Sequence, residues 1–131
     1  MSTRSTVFHD IAFADADSGM EFLRRLGFEE RAVFRDEADR SNVMHAEFAW
    51  RGVNVLMCSS ASNARRRERV GTAACYLVVE EADEVDALYA RGLEAGGASC
   101  LEPHNPEYGG RTACVLDHEG NHFSIGTYPG Q

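Results

Sequence analysis

The chain has 131 residues, of which 44% are hydrophobic and 26% charged, and this length suits one domain with a sizeable core. The 21 acidic and 13 basic residues give a formal net charge of −8, which disfavours nucleic acid as a partner. No apolar run approaches the ~20 residues of a membrane helix, and the first residues lack the apolar segment of a secretory signal. We therefore expect a cytoplasmic protein without a membrane partner.

The first half of the sequence predicts the element order β-α-β-β-β. Its strands are predicted at residues 7–14, 28–34, 43–50 and 53–58. Asp15 or Asp17 is suited to cap a helix after the first strand, and Gly27 is suited to end that helix. The last two strands form a predicted hairpin about Arg51 and Gly52.

The second half of the sequence repeats this order. Its strands are predicted at residues 73–79, 98–101, 111–116 and 122–128, with a loop at 102–110. A helix is predicted to begin at Asp83 and to end before Gly96. Its apolar stripe consists of Val85, Leu88, Tyr89 and Leu93. The halves align with nearly constant spacing, for example Phe8 on Tyr76, which indicates a duplicated supersecondary module.

Residues 1–131 are predicted to form a single domain. One module covers about residues 7–58 and the other about residues 72–128. Residues 59–71 contain three consecutive arginines and are expected to form a solvated linker. The four cysteines include no Cys-x-x-Cys pair, so we expect small buried core residues rather than zinc ligands or a redox dithiol.

Two phrases of the sequence, FADADSGMEFLRRLGFEE and YGGRTACVLDHEGNHFSIGTY, resemble the vicinal oxygen chelate superfamily, also described as glyoxalase/bleomycin-resistance/dioxygenase proteins. The resemblance spans roughly residues 7–128. Its most specific part is residues 117–127, which is similar to the family's D-P-x-G-N hairpin with His118 replacing proline. The resemblance implies an α+β fold of two tandem βαβββ modules, each a curled mixed sheet with a helix packed on its convex face. It also implies a homodimer with cavities formed by the curled sheets.

Family enzymes carry metal ligands, usually His or Gln and then Glu, on the first and last strands of each module. The resemblance and the internal alignment place these positions at Phe8, Leu56, Tyr76 and Ser124. Hard divalent ions prefer carboxylate or imidazole donors, which phenylalanine and leucine do not offer. We therefore expect neither a metal ion nor another cofactor.

The segment from His118 to His122 matches the zinc-peptidase pattern HExxH. That mechanism needs both imidazoles one turn apart on a helix. Gly120 and Asn121 favour a turn instead, and the residues that follow alternate as in a strand. A hairpin turn is the preferred interpretation.

Several side chains are candidates for lining a ligand cavity on the sheet faces. They are Phe8, Asp10, His45, Glu47, Tyr76, Tyr108, Arg111, His122 and Ser124. Asp10 is either a carboxylate that recognises a cation or acts as a base, or an exposed edge residue. His45 and Glu47 form either an acid/base or hydrogen-bonding pair in the cavity, or a solvated surface pair.

Tyr108 and Arg111 flank two glycines in a loop expected over the cavity mouth. Arg111 either binds a ligand carboxylate or phosphate, or forms a structural salt bridge. Trp50, the only tryptophan, either stacks on a planar ligand or is buried against a helix or in a dimer.

The expected function is metal-free binding of a small molecule, such as sequestration of an antibiotic or another aromatic or cationic metabolite. The alternative is a lyase, isomerase or ring-cleaving dioxygenase that depends on Zn, Ni, Mn or Fe. That alternative requires His9, His45, Glu47 and His122 to converge on one point. The sequence leaves open whether the chain is an enzyme, and which ligand it binds.

Overall fold

The computed structural model describes residues 4–131. Its strands are β1 (His9–Phe13), β2 (Glu29–Arg35), β3 (Val43–Trp50), β4 (Asn54–Ser60), β5 (Ala74–Val78), β6 (Ala98–His104), β7 (Thr112–Leu116) and β8 (His122–Gly126). Its helices are α1 (Ala16–Leu26), α2 (Ala64–Arg69) and α3 (Ala82–Glu94). Among the described residues, none of these helices has both the length and the hydropathy needed to cross a bilayer.

The strands form two four-stranded mixed sheets with the orders β1-β4-β3-β2 and β5-β8-β7-β6. In each sheet the first strand runs parallel to the last strand of its module, and the other neighbours are antiparallel. Helices α1 and α3 each pack on one face of a sheet. The predicted fold class, two tandem βαβββ modules, is confirmed.

Local signals define both ends of α1. The Asp15 side chain accepts a hydrogen bond from the backbone N–H of Ser18 at 3.2 Å, as expected for an N-cap. Gly27 ends the helix with φ of 122°, a conformation that residues with a Cβ rarely adopt. The predicted start and end of this helix are therefore correct.

Helix α3 begins with a capping box between Glu81 and Glu84. The predicted apolar stripe is wrong at Leu93, which is 38% exposed. Gly92 is buried instead, and a Cβ there would lie 2.9 Å from Cγ2 of Val115. The helix approaches β7 closely at this glycine, which turns Leu93 towards solvent.

The two modules share one hydrophobic core. The Phe22 ring of α1 lies 5.6 Å from the Phe123 ring of β8, and Phe123 also contacts Phe28 at 6.4 Å. Phe28 in turn packs against Trp50 at 5.2 Å between ring centroids. Aromatic rings from both modules therefore form a continuous chain through the interior.

Each module also contacts the start of the other module's helix through its hairpin turn. The Glu119 carboxylate accepts hydrogen bonds from the backbone N–H groups of Ala14 and Asp15 at 2.8 and 2.7 Å, just before α1. Arg51, in the corresponding turn of the first module, forms an ion pair with Glu84 at 2.8 Å in the first turn of α3. A carboxylate at a helix N-terminus is electrostatically favourable, so Glu119 stabilises both α1 and the junction.

The segment between the modules differs from the expected solvated linker. Residues 59 and 60 extend β4, and residues 64–69 form α2, where the Asn63 side chain accepts the Arg66 backbone N–H at 2.9 Å as the N-cap. Arg66 donates a hydrogen bond to the backbone oxygen of Ile11 at 3.3 Å. It thereby satisfies a polar group on β1, which is the outermost of the described strands in its sheet.

Two further expectations need correction. Strand β6 continues to His104, where a loop was expected from residue 102, because His104 still pairs with Thr112 of β7. Cys100 is exposed at a register shift of that strand, whereas Cys58 and Cys114 are buried as expected. Burial raises the pKa of Cys58 and of Cys75 to about 12, so both thiols remain protonated at neutral pH.

Candidate functional site

A cleft of about 470 Å³ is lined by residues of both modules, at the start of β1, in the β3–β4 hairpin and on β5. It is lined by Val7, Phe8, His9, Phe28, Trp50, Arg51, Asn54, Val55, Leu56, Cys75, Tyr76, Leu77 and Val78. Most of these side chains are apolar or aromatic, with a few polar groups among them. Small-molecule sites commonly have this composition.

Phe8 and Tyr76, which the internal alignment pairs, both line this cleft, one from each module. Their exposed fractions are 42% and 43%, so both rings are available to a ligand. The Tyr76 ring lies over Gly126, where a Cβ would come within 2.9 Å of its Cε1 atom. The Tyr76 hydroxyl oxygen accepts a hydrogen bond from the Tyr128 backbone N–H at 3.1 Å. Desolvation by burial raises the pKa of the Tyr76 hydroxyl. Tyr76 is therefore held in place as a neutral aromatic wall.

Trp50 forms the inner end of the cleft and joins the modules. It is 7% exposed, and its indole N–H donates to the Val78 carbonyl oxygen at 3.4 Å. The Arg51 guanidinium lies 4.9 Å from the indole centroid. Trp50 is thus mainly buried between the modules, and its fluorescence is suited to report on the cleft.

His9 lines the cleft but did not stand out as a ligand-binding residue in the sequence. Its Nε2 atom is buried and has no hydrogen-bond partner among residues 4–131. Burial lowers the pKa of His9, which favours the neutral imidazole at neutral pH. An unpaired buried nitrogen is costly, and because this atom has no accessible surface it does not contact a molecule in the cleft directly.

The open face of each sheet, opposite its helix, carries the positions predicted to hold metal ligands. Tyr76 and Ser124 are paired there on β5 and β8. The predicted position of Leu56 is wrong. Leu56 pairs with His9 and Phe48 on the helix-facing side of the sheet and is 3% exposed. Strand alternation places Val55 instead beside Phe8.

The side chains at these open-face positions do not suit a hard divalent ion. Phe8, Val55, Tyr76 and Ser124 supply no imidazole and no carboxylate. Within residues 4–131, no group of three or more His, Cys, Asp or Glu side chains is arranged to hold a metal. The donor chemistry therefore does not fit the family's metal centre.

The structure brings together only one pair of the four residues that the metal-dependent alternative requires. His45 Nε2 lies 2.8 Å from Glu47 Oε2 on the open face of the first sheet, and the Phe34 ring stacks on the imidazole at 6.2 Å. His9 is on the helix-facing side of β1, while His122 belongs to the second sheet. The His45 and Glu47 side chains are 39% and 33% exposed, so both the surface and the cavity interpretation remain open. A role of this pair in ligand binding stays a prediction.

Asp10 is not a free carboxylate. Two Arg66 nitrogens lie 3.2 and 3.3 Å from its oxygens, and an Arg69 nitrogen lies at 3.6 Å. The Asp10 and Arg66 side chains are 21% and 20% exposed. The acidic residue and the arginine run were both visible in the sequence, but nothing local indicated that α2 would bring them together.

Arg111 forms the salt bridge that was one of its two interpretations. Its Nε and Nη2 atoms donate to the Asp86 carboxylate at 2.7 and 2.9 Å, and Nη1 donates to Asn105 at 3.0 Å. Asp86 lies on α3, so this contact directs the guanidinium towards the helix side. The loop residue Tyr108 remains 74% exposed.

The Arg111 pair predicts an acid-dependent loss of stability. The hydrogen bond from Arg111 lowers the pKa of Asp86 below 3.8, so the pair stabilises the fold above that pH and is lost as the pH falls through the folded-state pKa. We expect Asp86→Asn to reduce the melting temperature slightly at pH 7 and progressively less towards pH 3, since the pair is exposed. Arg111→Gln and the double variant complete a cycle; a coupling that does not shrink in acid would contradict this account.

The HExxH match is a hairpin turn, as the glycine and asparagine indicated. It connects β7 and β8, and its Asp117 carboxylate accepts hydrogen bonds from the backbone N–H groups of Glu119 and Asn121, both at 2.9 Å. The Asn121 amide lies 2.9 Å from Asp117 and also accepts the Ala73 N–H at 3.0 Å. These groups position the turn and the start of β5 rather than a zinc ion.

The family model for the Glyoxalase/Bleomycin resistance protein/Dioxygenase superfamily matches residues 7–125. The chain therefore belongs to this superfamily, in agreement with its two βαβββ modules.

Three individual proteins are similar to this chain at low sequence identity. The fumosorinone synthetase of Cordyceps fumosorosea (strain ARSEF 2679) is 29% identical over 127 residues, which cover 97% of this chain but 3% of that protein. A glyoxalase-related enzyme from Fulvimarina pelagi has a TM-score of 0.70 at 22% identity, covering 93% of this chain and 86% of that one. TioX from Micromonospora sp. ML1 has a TM-score of 0.67 at 23% identity, covering 93% and 97%. These structures share the fold with this chain.

Proposed function

We propose that this protein binds a small, largely apolar aromatic molecule in the cleft lined by both modules, without a metal ion, and acts by sequestering it. The observation that carries the proposal is the apolar cleft of about 470 Å³ lined by Phe8 and Tyr76. A planar ligand packed against these rings would bury their exposed surfaces.

Metal independence is part of the same proposal. It is supported by the aromatic, aliphatic and hydroxyl side chains at the family's ligand positions. We also propose that the protein works as a homodimer, because the open sheet faces carry exposed apolar side chains. Examples are Phe34, which is 59% exposed, and Leu101, which is 46% exposed. A second copy covering these faces would remove that surface from water.

The cleft is tested by titrating the protein with N-phenyl-1-naphthylamine, an uncharged aromatic probe, and following quenching of Trp50 fluorescence. We expect saturable binding that Phe8→Ser weakens ~5–30-fold, because about 1–2 kcal/mol of aromatic contact is lost. Met44→Ser is the matched control, since it removes a large exposed apolar side chain from β3, away from the cleft and on the face opposite to His45 and Glu47. This variant should bind as the wild type does.

Three outcomes of this titration would overturn the proposal. One is the absence of saturable quenching in the wild type, and another is an equal effect of Phe8→Ser and Met44→Ser. The third concerns the metal: binding that is abolished by a chelator and restored by Ni²⁺ or Zn²⁺ would favour a metal-dependent site. We expect the chelator to leave the affinity unchanged.

A further inference from the structure

A second pocket adjoins the cleft at Tyr76. It is about 560 Å³ in volume and is lined by Tyr76, Tyr108, Tyr128 and Gln131. Three of its four lining side chains are therefore phenol rings, contributed by β5, by the loop before β7 and by the segment after β8. Residues this far apart in sequence meet only because the second sheet places the ends of β5 and β8 side by side.

The rings of this pocket are held in place by contacts with one another, including an edge-to-face contact between Tyr108 and Tyr128. The Tyr108 and Tyr128 centroids are 6.4 Å apart and their planes meet at 82°, so they form two walls at nearly a right angle. Tyr76 is tied to the same segment, because its hydroxyl accepts the Tyr128 backbone N–H at 3.1 Å. The Gln131 amide donates to the Tyr128 hydroxyl at 3.0 Å. The pocket is thus built by several contacts rather than by one mobile side chain.

The net charge of the whole protein, rather than any charge in the pocket lining, favours a cation. The neighbouring cation along the β7 edge is Arg111, whose backbone oxygen accepts the Thr127 N–H at 3.1 Å, and its guanidinium is engaged by Asp86. The lining side chains carry no formal charge, and the whole chain carries a net charge of −8. Aromatic faces attract cations through their quadrupole, most strongly when the cation is weakly hydrated.

We propose that Tyr76, Tyr108 and Tyr128 form an aromatic cage that binds a quaternary ammonium group. Tyr76 also lines the cleft, so a ligand with a planar apolar body and such a group would occupy both pockets. This extension to one ligand rests on the proposed function of the cleft. The cage itself is tested separately with a small cation.

The test compares choline with 3,3-dimethyl-1-butanol, its uncharged isostere, by following the methyl proton signals of each during titration with the protein. Ring currents of the cage should shift the trimethylammonium signal upfield. We expect choline to bind ~2–30-fold more tightly than the isostere, the range expected for cation–π attraction. Equal binding of the two probes would overturn the proposal.

The matched variants are Tyr108→Leu and Tyr108→Phe. Tyr108 is 74% exposed, so neither change should alter the melting temperature. We expect Tyr108→Leu to reduce choline affinity to that of the isostere, and Tyr108→Phe to retain it, because only the latter keeps a ring. Both variants keep the net charge of the protein. Loss of choline affinity in Tyr108→Leu alone would therefore exclude general attraction to an acidic protein. Equal choline affinities of Tyr108→Leu and Tyr108→Phe would refute the cage.

The two proposals fail in different ways. If the cage does not exist, N-phenyl-1-naphthylamine should still quench Trp50 while choline shows no preference over its isostere. If only the cleft proposal is wrong, choline binding should remain sensitive to Tyr108→Leu, and Phe8→Ser should leave the naphthylamine titration unchanged.

Discussion

Replacing Phe123 with alanine is expected to lower the free energy of unfolding by ~3–5 kcal/mol, the range for deleting a fully buried aromatic side chain. Phe123 is completely buried and contacts Phe22 and Phe28, which belong to the other module. The cavity left by the ring would therefore lie where the modules meet. Because both modules depend on this ring, we expect them to unfold together.

Urea unfolding followed by Trp50 fluorescence and by far-ultraviolet circular dichroism measures this effect. Phe123 lies in the second module and Trp50 in the first, so coincident transitions would show that one core supports both modules. Met44→Ala is the control, because this methionine is 62% exposed and should change stability by less than about 1 kcal/mol. A Trp50 transition that is unaffected by Phe123→Ala would contradict the shared core.

Asn121→Ala is expected to destabilise the protein by ~2–4 kcal/mol through loss of buried hydrogen bonds. The Asn121 side chain is fully buried, donates to Asp117 at 2.9 Å and accepts from the Ala73 N–H at 3.0 Å. The substitution leaves the Ala73 N–H without this acceptor and removes one of three donors to a buried carboxylate. Since Ala73 precedes β5, the same change should disturb Tyr76.

Thermal and urea unfolding of Asn121→Ala, with Asn54→Ala as the matched control, test this prediction. Asn54 is an exposed asparagine at the start of β4 in the other hairpin, and its replacement should have little effect on stability. A similar loss in both variants would mean that the Asn121 side chain contributes little through its buried hydrogen bonds. Binding of N-phenyl-1-naphthylamine should weaken in Asn121→Ala, whereas Asn54 lines the cleft and serves as a control for stability alone.

Short-range signals in the sequence were sufficient for the elements and for the fold. The α1 cap at Asp15, its end at Gly27 and the turn at Gly120 each depend on residues within a few positions of one another. Strand alternation and the repeated order of elements then indicated two βαβββ modules. The resemblance carried by the last hairpin pointed to the superfamily that the family model identifies.

Within the candidate site, the sequence placed aromatic residues at Phe8 and Tyr76, and both line the cleft. The sequence placed Leu56 on the wrong face, because the internal alignment of the two modules is displaced by one residue at β4. A displacement of one residue turns a strand side chain to the opposite face. Internal alignment alone does not resolve such a shift. Hydrogen bonding between β1 and β4 resolves it, since the backbone register determines which side chains share a face.

Only the tertiary structure decided which charged side chains are paired. Asp10 with Arg66, Asp86 with Arg111, and Glu119 with the start of α1 are contacts between residues far apart in sequence. In an acidic chain with many possible partners for each arginine, composition does not select among them. The packing of α2 against β1, and of the two modules through Phe22 and Phe123, brings these groups within hydrogen-bonding distance. Local sequence propensity determines the helices and strands. The packing of the shared core determines the distances between charged side chains on different elements.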